Sequence, residues 1–208
     1  IGDDCAPLWR KSPENRHWGC VEAMTNAAHR YYYAPSAWAT DTDCAYFGHA
    51  ETSARWKLGD KPALTREQAT TWFTAAALTG GVVKVGDWLP DLSADEVALL
   101  SRLLPTLQHP ARPVDLFERE IPCVWSLPVR CAIGQWTIVG VFNWDETANH
   151  KTRVSFEELG LDPNVYYTVY DFWKDTFHGL AQGHLNVDTN PGSCHLLGLR
   201  RHENHPMF

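Results

Sequence analysis

Along "TREQATTWFTAAALTGG", Thr65 to Gly81, apolar side chains return at Ala69, Trp72, Phe73, Ala76 and Ala77, the spacing that gathers them on one face of an α-helix. Thr65 and Gln68 form a capping box at its start, and Gly80 closes it. "SADEVALLSRLLP" repeats the scheme, with Ser93 and Glu96 as the box, Val97, Leu100 and Leu104 as the expected buried face, and Pro105 as the stop. A third helix is predicted from Trp18 to Tyr31, burying Cys20, Met24, Ala27 and Tyr31. Between the helices lie two short runs that suit buried strands, "SAWAT" (Ser36 to Thr40) and "GVVKVG" (Gly81 to Gly86). Strands alternating with helices predict a parallel sheet with crossover helices.

After the Pro-containing connector "HPARPVDLF" the periodicity changes. "PCVWSLPV", "QWTIVGVFNW", "HKTRVSF", "VYYTVYDFW" and "CHLLGLRR" are rich in β-branched and aromatic residues and are separated by turn formers such as "DETAN" and "TNPGS". In "KTRVSF", Thr152, Val154 and Phe156 alternate with polar neighbours, as in a strand with one solvated face. The pattern divides the chain into an α/β part, residues 1–108, and an all-β antiparallel sandwich, residues 109–208.

Composition narrows the classes. A net charge of -7, with 18 Lys and Arg scattered along 208 residues, argues against nucleic acid as a partner. No apolar run approaches the roughly 18 residues that span a bilayer, so no membrane partner is expected. The six cysteines have no CxxC spacing, which disfavours a zinc ribbon or dithiol site. Two readings stay open for Cys123 and Cys131: small buried apolar groups, or a bridge across a tight turn. Ten tryptophans exceed what an ordinary domain carries, and indole faces suit sugar rings as well as cores.

Counting a strand stub at Ile1 to Asp4, the α/β part shows three strands, too few for an eight-stranded barrel of about 250 residues. Each expected strand ends in acid: Asp3 and Asp4, then Asp41 and Asp43 in "TDTDC", then Asp87 in "GDWLPD". In an α/β barrel such strand ends face one mouth, and clustered carboxylates suit glycoside hydrolysis, which needs a proton donor and a nucleophile. Asp is also a common cap after strands, so the pattern alone leaves both readings open. The strand ends favour the last part of a (β/α)8 TIM barrel that begins before Ile1.

"IGDDCAPLW", "WATDTDCAYFG", the helix block from Leu64 through "GDWLP", and the later "VYYTVYDFW" and "GSCHLLGLRR" resemble, in order, blocks of the melibiase-type α-galactosidases, family thirty-six of the glycoside hydrolases in clan D. The resemblance implies that Asp4 is the general acid/base, with Asp3 at a variable position beside it. It also implies that Asp41, Asp43, Cys44 and Trp9 line or support the sugar pocket, and that Asp87 is a supporting group behind it. Thr40 and Thr42 depart from the family's Asn and Pro, which puts the local turn in question. The implied reaction is double displacement with retention, removing a terminal α-linked galactose, with no cofactor and no metal ligands. The family's nucleophile belongs to a Lys-x-Asp stretch upstream of Ile1, so the chain is expected to be a fragment, inactive by itself, and cut short again after "RRHENHPMF".

Other readings carry less weight. "DTD" as the motif of a metal-dependent sugar transferase lacks an accompanying glycine loop, and "HENH" is not HExxH. The tyrosines of "RYYYAPSAW" are expected to pack in the core, with a sugar platform as the rival reading. The rival class is a non-catalytic carbohydrate-binding or structural β-sandwich with a helical preamble. Sugar and aglycone preference, compartment and oligomeric state are left open by the sequence.

Overall fold

A computed structural model describes residues 5–11, 17–34 and 36–203. The chain forms two compact units, Ile1–Ala111 with Leu116–Pro122, and Arg112–Asp115 with Cys123–Phe208.

The first unit runs α1 (Cys20–His29), a 3-10 turn at Tyr31–Tyr33, β1 (Asp41–Ala45), α2 (Ala50–Arg55), α3 (Arg66–Leu78), β2 (Val82–Val85) and α4 (Ala94–Leu103). β1 and β2 are parallel, pairing Asp41 with Val82, Cys44 with Lys84 and Ala45 with Val85, and α2 and α3 make the crossover. α3 is its central helix: Ala69, Trp72, Phe73, Ala75, Ala76 and Leu78 are buried, and Phe47 packs on Phe73 with ring centroids 4.6 Å apart. Burying each large apolar side chain is worth about 1.5–3 kcal/mol. Thr71 and Thr74 are buried as well, and the Thr74 hydroxyl is satisfied by donating to the Thr70 carbonyl at 2.6 Å. The capping boxes at Thr65–Gln68 and Ser93–Glu96 form as the sequence predicts. Gly80 ends α3 with φ of +70°, and a Cβ there would lie 2.3 Å from the His109 carbonyl carbon, so only glycine fits.

Several expectations shift. The strand expected at Ser36–Thr40 forms at Asp41–Ala45 instead, because the backbone partners offered by β2 lie beside the acidic run rather than the apolar one. The stub at Ile1–Asp4 lies outside the described residues. α4 buries Leu99 and Leu103, while Val97 and Leu104 are exposed. Its phase follows Glu96, which caps the helix and bonds His49 inward; positions 96, 99, 100 and 103 then share one face. Tyr32 and Tyr33 are exposed rather than core, stacked in a row with Trp38, because the chain turns in 3-10 form after α1.

The second unit is antiparallel throughout. β3 (Arg112–Pro113), β4 (Val124–Cys131), β5 (Gly134–Phe142), β7 (Tyr166–Asp171), β8 (Thr176–Gln182) and β10 (Cys194–Arg201) form a six-stranded sheet in the order β3-β4-β5-β10-β7-β8. β6 (His150–Ser155) and β9 (His184–Thr189) form a two-stranded sheet. The core lies between inward-facing residues of both sheets, including Val139, Val141, Val154, Phe156, Val169, Val187 and Leu199. The alternation of Thr152, Val154 and Phe156 reappears as buried positions. Asp115 fastens the entry to β4 by accepting from the N–H groups of Cys123 at 3.0 Å and Val124 at 2.9 Å. Cys123 and Cys131 flank the length of β4, roughly 25 Å apart at strand rise, so no disulfide joins them.

Candidate functional site

The polar group richest in chemistry sits where β1 pairs with β2. In β1 the register slips between Asp41 and Cys44, and Asp43 takes a left-handed backbone with φ of 60°. Aspartate tolerates this conformation better than most residues, and here the Asp43 N–H donates to Asp41 Oδ1 at 2.9 Å, a local turn that stabilises it. Both carboxylates then meet Lys84 of β2, whose Nζ donates to Asp41 Oδ2 at 3.0 Å and stands 3.6 Å from Asp43 Oδ1. The other oxygen of Asp43 accepts the Cys5 N–H at 2.7 Å.

Electrostatics follow from this arrangement. Burial works against charge on Asp41, but the Lys84 ammonium and the Asp43 N–H outweigh it and hold its carboxyl below the usual carboxylate range. The two aspartates raise the pKa of Lys84 in turn, Asp41 foremost through its hydrogen bond. Cys44 is pushed up by burial first and by the Asp43 charge second, so it stands as a thiol rather than a nucleophilic thiolate. Tyr46 is pushed well above the usual phenol range, chiefly by burial, and its hydroxyl donates to the Cys5 carbonyl at 3.3 Å. The Cys5 peptide is therefore held at both its N–H and its carbonyl.

Asp87 does different work. It is buried, and it accepts from the Phe47 N–H at 2.5 Å, the Thr52 hydroxyl at 2.7 Å and the His49 N–H at 3.4 Å. These contacts tie the end of β2 to the segment joining β1 to α2. Trp9 is buried among the apolar residues of the first unit, its carbonyl accepting from the Val21 N–H at 3.0 Å. Thr42 is 2% exposed, and its hydroxyl has no hydrogen-bond partner among the described residues. Asp3 and Asp4 lie outside the described residues. Among the described residues no three His, Cys, Asp or Glu side chains converge as metal ligands.

Of the expected site residues, Asp41, Asp43 and Cys44 are brought together and Asp87 stands on a separate hydrogen-bond network. Lys84 and Tyr46 are the members that sequence reasoning missed. Lys84 leaves one signal, a lone charge inside the apolar run "GVVKVG".

A parallel β-α-β unit together with an antiparallel sandwich is the class these observations define. The family model described as the alpha galactosidase C-terminal beta sandwich domain matches residues 124–199, and the chain accordingly carries an α-galactosidase-type C-terminal domain. No curated protein sequence matches it. Among solved structures, α-galactosidase I of Mortierella vinacea is similar with a TM-score of 0.72 and 13% identity, over 96% of this chain and 52% of that one. The GH27 β-L-arabinopyranosidase of Geobacillus stearothermophilus gives 0.71 and 20%, over 95% and 43%. The α-galactosidase of Saccharomyces cerevisiae, solved with raffinose, gives 0.68 and 14%, over 97% and 58%. At these identities the likeness is one of fold, and the chain spans about half the length of the structures it matches.

Proposed function

We propose that the chain is the C-terminal portion of a retaining glycoside hydrolase of the α-galactosidase type, its first unit contributing the last elements of a (β/α)8 barrel and its second being the C-terminal β-sandwich domain. The clan is the level at which the reading is made, since the named arabinopyranosidase relative belongs to GH27 rather than to family thirty-six. The observation that carries it is the Cys5 N–H on Asp43, which ties the residue directly after Asp4 in sequence to the acidic first half of β1. Asp4 is then the general acid/base, protonating the leaving oxygen and later deprotonating water, while a carboxylate from a segment outside this sequence attacks the anomeric carbon roughly 5 Å away. Asp41, Asp43, Cys44 and Trp9 border or support the sugar, and the substrate is a terminal α-galactoside.

The test is Asp4→Asn in the full-length protein. Hydrolysis of an unactivated α-galactoside falls by about 100-fold or more while the circular dichroism spectrum stays unchanged. A variant as active as the parent sinks the assignment and leaves the non-catalytic sandwich reading.

A further inference from the structure

Lys84 stands at a junction that the family resemblance does not supply. Its ammonium faces three groups on β1: Asp41, Asp43 and the thiol of Cys44, its partner in the parallel register. Two carboxylates that share a turn repel one another, and without a cation between them one would swing out to solvent or take up a proton. With Lys84 in place, Asp43 keeps one oxygen toward the ammonium and the other on the Cys5 N–H at 2.7 Å. The Cys5 carbonyl is meanwhile held by Tyr46, whose ring is 5.6 Å from that of the buried Trp72. A chain of contacts thus runs from β2 through Asp43 to the peptide that follows Asp4.

We propose that Lys84 is a positioning residue: by pairing with Asp41 and Asp43 together it locks Asp43 onto the Cys5 N–H, next in sequence to Asp4, and so supports proton donation by Asp4. The inference rests on the assignment of Asp4 as the acid/base. Its consequence is specific to proton donation. A misplaced acid penalises a substrate whose leaving group must be protonated, and scarcely affects one that departs as a stable phenolate.

The experiment compares two α-galactosides in the full-length protein, an unactivated disaccharide and the para-nitrophenyl galactoside. Lys84→Met lowers kcat/KM, which reports the step that expels the leaving group, roughly 10- to 100-fold on the disaccharide and by no more than about threefold on the nitrophenyl substrate. Lys84→Arg, which keeps the charge, recovers most of that loss. Should Lys84→Met fail to fold, Lys84→Gln, which keeps a polar side chain of similar reach without the charge, is expected to give the same split between substrates. Equal losses on both substrates, or none, overturn the inference while Asp4→Asn remains inactive on the disaccharide. An active Asp4→Asn overturns the functional reading and takes this inference with it.

Discussion

Asp171 in the sandwich and Asp43 in the parallel unit are both aspartates held by a basic side chain, yet they are built for different ends. Asp171 is fully buried and closed: His195 Nδ1 lies 2.6 Å from its Oδ2, and its Oδ1 accepts from the N–H groups of Trp173 at 3.1 Å and Lys174 at 3.3 Å. His195 is completed by the Asp188 carbonyl, 3.1 Å from Nε2. Asp43 instead sits in a left-handed backbone beside a slipped register, shares its cation with Asp41, and keeps part of its side chain open to solvent. A satisfied network in regular strands fastens a fold. An acidic pair held in strained backbone, next to a buried hydroxyl with no partner among the described residues, is the kind of local conflict that stable folds tolerate mainly where chemistry needs it.

The largest effect expected from breaking this contrast is in the sandwich. Asp171→Ala takes away the carboxylate that holds the buried His195 and accepts from the Trp173 and Lys174 N–H groups, and destabilises the protein by about 3 kcal/mol, read from urea unfolding. The pH dependence has a definite sign. Burial disfavours the Asp171 charge, but His195 and the Lys174 N–H outweigh it and its pKa falls below the ordinary carboxylate value. Its stabilisation is therefore complete above about pH 4 and is lost as the pH drops through the lowered value, so the parent loses stability in acid where Asp171→Ala does not. An Asp171→Ala protein as stable as the parent would show that the network is incidental.

A smaller effect is expected at His49 and Glu96, 2.8 Å apart in the first unit. Burial opposes both charges, yet the mutual hydrogen bond prevails, raising His49 and lowering Glu96. The raised histidine contributes fully below about pH 6.5 and loses its contribution as pH climbs through the elevated value; the lowered glutamate contributes above about pH 4.5 and loses it in acid. His49→Gln should cost about 1 kcal/mol between those limits and progressively less toward pH 8, measured by chemical denaturation across pH. A pH-independent cost would mean that packing rather than charge holds the pair.

The same contrast explains what the sequence made legible. Strands of the sandwich with one buried face announce themselves by alternation, as at Thr152, Val154 and Phe156. β8 escaped because almost all of it is exposed at the sheet edge, and β9 because a glycine hinge separates the two with no turn cluster. β1 was misplaced because "DTDCA" has poor strand propensity, its pairing being imposed by β2 rather than by its own side chains. The acidic half of the site was readable from Asp41, Asp43 and Cys44. Its basic half was not, since the pairing of Lys84 opposite Cys44 is a property of register, which no local pattern records.

The smallest expected effect tests whether the conflict at β1 is a conflict at all. Thr42 is buried between the two aspartates in sequence, and its hydroxyl lacks a partner among the described residues. Valine keeps nearly the same shape and branches at the same carbon, so it preserves the extended backbone while removing a polar group that gave up water for nothing. Thr42→Val should therefore be neutral or raise stability by up to about 1 kcal/mol, where Thr-to-Val at a satisfied position such as Thr74, whose hydroxyl donates to Thr70, should lower it by about 1 kcal/mol. Both shifts can be read from thermal or urea unfolding of the same protein. If Thr42→Val is instead the more damaging of the two, the hydroxyl is engaged in the folded protein, and β1 carries its acidic pair without the unsatisfied group that sets it apart from the sandwich.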